Sequence, residues 1–396
     1  MYDVIVVGLG PAGSVAAREL SKKGLKVLGI DKERFPRDKS CGGYISTKID
    51  GVLDFDFSET VDDLISGIIF NYKLRKPVEV MSERPFVYSV DRPKFDSFLL
   101  DKARAAGVEI IEGARVDEIN DTGEYVEVSA AGSIYRAGFL VGADGAGGVV
   151  GRSCLDISYK NTIISLATEV DVSPEVHAEL SGKCIIDFGT VPHGYGWIFP
   201  KKGYLSVGIA GKGKSPGDKI NIKKYFNEFI NGHELLKGSS HKEVKGWIVP
   251  VYDGEELSLT KGRVLVAGDA GFMVDPFIGE GIYYAIRGGQ LAAEAIGRAV
   301  NHGAGKLKEY ENMVREEFYS DFDVNKKLVD RLFNNMWLWY KLIHLKRDRM
   351  KRYYDVLRGE ESASDFYEDL KRSAKNKVTQ PLKAAGALFS TKSGSS

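Results

Sequence analysis

Cysteine is scarce in this sequence: among 396 residues there are three, Cys41, Cys154 and Cys184. Their wide spacing provides no disulfide framework and no paired-thiol metal motif. No cysteine follows Cys184, so the clustered thiolates of a late iron–sulfur centre are missing. This usage fits a reducing compartment, and a cytoplasmic protein is the expectation. Net charge is absent as well: Lys plus Arg and Asp plus Glu both number 55. That balance excludes a global pull toward nucleic acid or an anionic membrane and leaves only local patches. Long apolar runs are also lacking. A spanning helix needs ~20 apolar residues, whereas Phe188–Pro200, free of Asp, Glu, Lys and Arg, contains a histidine, two prolines and three glycines. Asp3 stands where a secretory leader would carry Lys or Arg, so the segment is expected to be a strand. The six histidines, among them His193, are scattered and mark no acid–base constellation.

What is present starts with a βαβ pattern. Asp3–Val7 is β-branched with little alternation, as in a buried parallel strand. Gly8-Leu9-Gly10-Pro11-Ala12-Gly13 follows, then a predicted helix over about Ser14–Lys23 ended by Gly24. A second strand, Lys26–Ile30, closes on Asp31. In such a unit one glycine makes the tight turn, one lets backbone approach a pyrophosphate, and one packs helix on strand. The helix start offers free N–H groups to phosphate. Asp31 lies eighteen residues past Gly13, where a carboxylate binds ribose hydroxyls and disfavours the 2′-phosphate of NADP. Gly8, Gly10, Ala12, Gly13 and Asp31 are therefore candidate dinucleotide-binding residues. The motif alone leaves NAD and FAD both open.

Two later segments decide between them. Phe139–Val150 reads FLVGADGAGGVV, a strand ending in Gly142-Ala143-Asp144-Gly145. Arg263–Ile282 reads RVLVAGDAGFMVDPFIGEGI: a strand, Gly268-Asp269, and a loop into a helix at about Gly279–Ala299. This order of motifs resembles the flavoprotein group of aromatic hydroxylases, halogenases and geranylgeranyl reductases. The resemblance implies FAD as cofactor, with Asp144 in its site and Asp269 on the ribityl chain. It implies that Gly279, Gly281 and Ile282 belong to the start of a helix aimed at the flavin ring, where a positive helix end favours the anionic reduced flavin. It further implies that Arg92, in Asp91-Arg92-Pro93, contacts the cofactor, and that Val116 sits where backbone meets the adenine.

Two more segments narrow the resemblance. Asp38–Tyr44 reads DKSCGGY and Phe188–Lys201 reads FGTVPHGYGWIFPK. Cys-Gly-Gly, with a Pro…Tyr-x-Trp-x-Phe-Pro box, looks like the geranylgeranyl reductases. Taken alone, Tyr195, Trp197 and Phe199 share one strand face at period two. That face is either sheet core or the lining of an apolar pocket for a lipid chain, and the resemblance implies the pocket. Cys41, Gly42 and Gly43 are then expected beside the flavin. Cys41 alone reads equally as a buried small residue and is assigned no nucleophilic role. Arg37 and Lys39 read as decoration of that loop.

The resemblance implies an FAD-dependent reductase saturating C=C bonds of geranylgeranyl or polyprenyl chains, such as archaeal membrane-lipid precursors. Hydride would pass from reduced flavin to one alkene carbon and a proton to the other. An unactivated alkene offers no carbonyl to polarise, so positioning must supply much of the catalysis. The expected partners are a prenylated lipid and an electron donor: NAD(P)H, ferredoxin or another reduced carrier. No nucleic acid partner is expected. The alternatives are a flavin monooxygenase on a hydrophobic substrate, or an electron-transfer flavoprotein passing electrons to a quinone. The lack of late cysteines speaks against the latter.

The expected fold is α/β (α+β): a Rossmann-like FAD-binding domain, a mainly antiparallel-sheet substrate domain and a helical C-terminal region. The FAD domain is assigned to 1–70, 91–155 and 255–300, the substrate domain to 71–90 and 156–254, and the helical region to 301–396, whose Ser390–Ser396 reads as a disordered tail. Within that region, Arg331–Tyr354 sets Trp337 and Trp339 beside Lys341, Lys346, Arg347, Arg349 and Lys351. It reads either as a helix packed on the substrate domain with a solvated basic end, or as a peripheral contact on the cytoplasmic face of a membrane.

Overall fold

The computed structural model describes residues 1–159, 162–212, 221–254 and 257–372, so the expected tail at Ser390–Ser396 lies outside the described residues. Tyr2–Val7 (β1) is rich in Val and Ile, and its last four residues are buried. It leads into α1 (Pro11–Lys22) and back into β2 (Val27–Asp31), parallel to β1. α1 starts at Pro11, three residues before the expected Ser14. Proline's fixed φ suits the first helical position, and its missing N–H is not needed there.

β3 (Tyr44–Ser46), β4 (Val61–Ile65), β5 (Gly67–Tyr72), β6 (Arg75–Met81) and β7 (Val87–Val90) follow. β3, β7 and β4 form a small antiparallel sheet. α2 (Arg92–Ala105), β8 (Glu109–Glu112), β9 (Val116–Asp121), β10 (Val126–Ala130), β11 (Ser133–Gly142) and α3 (Val149–Cys154) return the chain to its first sheet. The second sheet is then completed by β12 (Ile163–Asp171), β13 (Lys183–Phe188), β14 (Gly194–Lys201), β15 (Tyr204–Lys212), β16 (Ser240–His241) and β17 (Lys245–Val249). α4 (Pro174–Glu179) and α5 (Ile222–Gly232) are interspersed. β18 (Thr260–Lys261) and β19 (Val264–Val266) rejoin the first sheet, and α6 (Ile282–His302), α7 (Glu309–Val314), α8 (Ser320–Asn334), α9 (Met336–Leu345) and α10 (Arg347–Leu357) follow.

The first sheet runs β18-β19-β11-β1-β2-β8, with β10 paired to β11 and β9 to β10. Its central pairs are parallel, which places the β1, β11 and β19 ends together at one edge. The second runs β16-β12-β15-β14-β13-β5-β6, antiparallel except for the β13–β5 pair. This is the mixed α/β architecture expected.

Two expected boundaries need correction. β5 pairs with β13 from Gly67 onward, so a division at 70/71 cuts a strand of the second sheet. Residues beyond 300 are not uniformly separate either: Tyr310, Val314, Phe318 and Phe322 are buried in one core with β1 and α6. α6 itself starts at Ile282 rather than Gly279, because Gly279 has φ +71°, outside helical space. Fully buried Tyr310 donates its hydroxyl to the Val266 carbonyl at 3.0 Å, tying α7 to β19. Tyr310→Phe is expected to lower stability by about 1 kcal/mol, read as a lower urea midpoint at unchanged slope. An unmoved midpoint would contradict that tie.

Candidate active site

The strand ends of the first sheet and the aromatic face of the second open onto one continuous cavity of about 630 Å³. At its polar end is the turn after β1. Gly8 has φ +88°, and a Cβ there would lie 2.4 Å from the Ala143 carbonyl oxygen. Gly13 packs under the turn, where a Cβ would sit 1.8 Å from the Gly8 oxygen. Gly8, Gly10 and Ala12 line the cavity; Gly13 is not among its lining residues. α1 begins with no side-chain cap and no acid in its first turn, leaving its N–H groups for an anion.

Asp31 lines the same end and is 7% exposed. Its carboxylate accepts from the Leu9 N–H at 2.6 Å and the Glu33 N–H at 2.9 Å. It therefore clamps the glycine turn, in addition to facing the cavity. Val116 lines the cavity at the start of β9. Asp144 accepts from the Val150 N–H at 3.0 Å, at the start of α3, while its second oxygen is buried without a hydrogen-bond partner among the described residues. Burial pushes its pKa up.

Arg92 is buried in the first turn of α2 and makes a paired contact with Asp96, at 2.9 and 2.8 Å. Arg37 reaches the same carboxylate at 3.2 Å, and its guanidinium lies 3.0 Å from where a Gly10 Cβ would stand. Two guanidinium groups on one carboxylate leave positive charge over the glycine turn. Lys39 has its Nζ 3.4 Å from Asp269 and 3.9 Å from the Trp247 ring centroid. Its burial draws its pKa down. Arg37 and Lys39 are thus cavity residues, not loop decoration. The available signal was their position, just before Cys41 in the loop leaving β2.

The Cys41–Gly43 loop joins the two ends of the cavity. A Cβ on Gly42 would lie 2.7 Å from the Phe199 ring. Tyr44 stacks on Phe199 at 3.7 Å and 9°. Tyr195, Trp197 and Phe199 follow one another along β14 with 6.0 Å between successive ring centroids. The buried Lys201 ends that strand and donates to the carbonyls of Gly43 (3.2 Å) and Val90 (2.8 Å). Burial lowers its pKa to about 8. Sequence reasoning missed it. Beyond the aromatics the wall is apolar, built by Phe70, Ile186, Phe277, Trp339, Ile343 and Tyr353, with Phe277 edge-on to Tyr353 at 5.2 Å.

Gly279, Gly281 and Ile282 line the middle, at the uncapped start of α6. The Tyr195 hydroxyl approaches the Ile278 carbonyl at 3.5 Å. Behind this loop lies a buried polar network. Asp275 accepts from the N–H groups of Phe277 and Ile278, from Asn325 Nδ2 at 2.7 Å and from the Tyr284 hydroxyl at 3.3 Å. Glu280 accepts from the Ser46 N–H at 2.7 Å, and Lys48 lies 3.8 Å from its other oxygen.

These residues fit FAD. The bare glycine turn admits a pyrophosphate, the arginines supply positive charge, and one Asp144 oxygen and Trp197 Nε1, on residues lining the cavity, are buried without a hydrogen-bond partner among the described residues. Comparisons agree. Residues 1–316 match the family model described as FAD binding domain. The digeranylgeranylglycerophospholipid reductase of Methanosarcina acetivorans is 31% identical over 357 residues, covering 85% of this chain and 86% of that protein. The geranylgeranyl diphosphate reductase of Rhodobacter capsulatus is 30% identical over 359 residues, covering 83% and 87%. Among solved structures, a geranylgeranyl bacteriochlorophyll reductase-like protein of Thermoplasma acidophilum aligns with TM-score 0.78 over 97% of this chain and 98% of that one, at 23% identity. A flavin-dependent brominase aligns with TM-score 0.69 over 95% and 99%, at 20% identity; that likeness is one of fold.

The class is therefore an FAD-dependent flavoprotein of the oxidoreductase type. Within it, the chain belongs to the geranylgeranyl reductase family, and its cofactor is FAD.

Burial raises Asp275 from 3.8 to about 6. A carboxyl raised in the folded state adds stability below its unfolded value and loses it as pH rises through the folded one. Between pH 4 and pH 7 the protein should lose up to roughly 3 kcal/mol relative to Asp275→Asn. Urea unfolding of both proteins at several pH values checks this; a difference independent of pH would contradict it.

Proposed function

We propose that the protein saturates isolated C=C bonds of geranylgeranyl or other polyprenyl chains on lipid precursors. The observation that carries this reading is the continuity of one cavity from the glycine turn, past the Cys41–Gly43 loop, to an apolar wall. FAD, when bound, supplies the two-electron chemistry. On this reading Gly8, Gly10, Ala12, Asp31, Val116, Asp144 and Asp269 hold the cofactor, with Arg37 and Arg92 facing its phosphates. The division of labour is a first-sheet domain that binds FAD and a second-sheet domain that binds substrate.

The chain's own residues do the positioning. Tyr195, Trp197 and Phe199 offer a flat aromatic face along which a prenyl chain lies, and the apolar wall excludes water from it. Cys41 borders that face, held in a turn where the Gly43 N–H donates to its sulfur at 3.3 Å. A prenyl chain in such a cavity loses solvent on both sides, so burial supplies binding and leaves orientation to the aromatic rings. Reducing equivalents come from a carrier of the NAD(P)H or ferredoxin class. The site of action is the cytoplasmic surface of the membrane that holds such lipids. The related geranylgeranyl reductases at about 30% identity support this substrate class.

The test is anaerobic. Protein loaded with FAD and reduced by dithionite is incubated with geranylgeranyl compounds and the products weighed by mass spectrometry. Each saturated bond adds about two mass units, one hydride and one proton. Absence of saturated product, or isotopic oxygen incorporated when air is admitted, would overturn the reading in favour of a monooxygenase. The cofactor assignment has a separate check. Arg37→Gln is expected to weaken FAD binding by about tenfold, the order of one charge-assisted hydrogen bond, measured by flavin fluorescence. Unchanged affinity would remove Arg37 from the phosphate site.

A further inference from the structure

α9 has two apolar faces. One is turned inward: Tyr340 and Ile343 are buried, and Trp339 and Ile343 line the cavity. The other is in water. Trp337 is 42% exposed, Leu338 54%, Leu342 41% and Leu345 68%. At 100° per residue these four fall on one side of the helix, with exposed Lys341 among them.

Cations surround this exposed face. After α9 come Lys346, Arg347 and Arg349. On the other side lies the β5–β6 hairpin, with Lys73 in its turn and Arg75 and Lys76 at the start of β6; Lys76 Nζ stands 5.5 Å over the Trp337 ring. Tyr340 donates to the Lys76 carbonyl and fixes the hairpin beside the helix. With Lys341 that makes seven cations, none within 4 Å of a carboxylate among the described residues. Nearby Lys351 is paired with Asp348, and Arg352 with Glu361 and Asp369. In a chain of zero formal charge this is a local positive excess.

We propose that the outer face of α9, with Lys73–Lys76 and Lys346–Arg349, docks the protein on an anionic lipid bilayer. Apolar side chains with a tryptophan enter the interface while the surrounding cations meet lipid phosphates. Lysine and arginine stems reach past the apolar patch to the headgroups. A second copy of this chain is the weaker occupant, because a two-fold contact would set the seven cations against the same seven. Docking this way turns one wall of the cavity toward the bilayer. That step, the use of α9 as the side from which substrate enters, rests on a prenyl lipid being the substrate; the docking surface itself does not.

The FAD-loaded full chain is sedimented with vesicles of phosphatidylcholine alone and with an equal mixture of phosphatidylcholine and phosphatidylglycerol. The expected result is binding to the anionic vesicles only, weakening as salt is added. Lys346→Gln, Arg347→Gln and Arg349→Gln together should lower the partition coefficient about a hundredfold, roughly fivefold per cation. Leu338→Asn with Leu345→Asn should weaken binding while leaving its salt dependence in place. None of these residues lines the cavity, so reduction of a detergent-dispersed prenyl compound should be unchanged in every variant. Equal sedimentation of wild type and both variants overturns the docking surface. So does self-association abolished by the leucine variant in a protein that ignores vesicles, which assigns the face to a second copy. Vesicle binding by a protein that saturates no alkene supports the docking surface and overturns the reductase reading instead.

Discussion

Two helices begin on glycine with nothing to cap them, and the cavity is organised around that fact. α1 follows Gly10 and α6 follows Gly281, each without a side-chain cap or a first-turn acid. Unpaired N–H groups at a helix start attract negative charge. Packing keeps both starts on the same cavity. A Cβ at Gly289 would lie 2.3 Å from the Ala12 carbonyl oxygen, so α6 closes against the first turn of α1 only because it carries glycine there. A larger residue would spread the helices and separate their positive ends. The parallel strands beneath deliver Gly8, Ala143 and Ala267 to one edge, which makes the approach of the two helices productive.

The aromatic strand is bound to this centre by few but specific contacts. Lys201 leaves β14 and holds the Gly43 and Val90 carbonyls, while Phe199 is covered by Gly42 and stacked by Tyr44. A buried ammonium that makes two carbonyl hydrogen bonds is costly to displace, because the charge would be left without partners. The Cys41–Gly43 loop and the aromatic strand β14 are therefore tied to each other. If the substrate is the alkene proposed above, which gives a catalyst no polar handle, such fixed spacing between the two halves is what the protein can contribute.

What was legible in the sequence was what neighbouring residues decide. The βαβ unit, the Asp144 and Asp269 turns and the period-two aromatics are local patterns, and each maps onto the cavity. The reading of Tyr195, Trp197 and Phe199 as either core or pocket dissolves in the structure. Trp197 is 4% exposed and belongs to a packed cluster, yet it also lines the cavity. Contacts between distant residues were not legible. Arg37 meets Asp96, Lys39 meets Asp269, and Ser46 meets Glu280 across 234 positions. No spacing rule relates such pairs, since the sheets bring them together only after both have formed. The boundary at 70/71 failed for the same reason: β5 belongs with β13, more than a hundred residues later.

α9 shows how far intramolecular packing can account for a sequence. Its mean hydropathy is that of a buried helix, and a helix apolar on all sides is normally covered on all sides. Here the inner face is explained: Trp339 and Ile343 close the cavity and Tyr340 packs on Tyr72. The outer face is covered far less by the fold: Leu338 is 54% exposed and Leu345 68%. Single exposed leucines are ordinary, but a cluster with a tryptophan, ringed by cations that have no carboxylate partner among the described residues, is not what solubility favours. The inner face and the outer face are separated only by the thickness of one helix. A chain that must take a long apolar substrate out of a bilayer has a physical reason to put both on the same element.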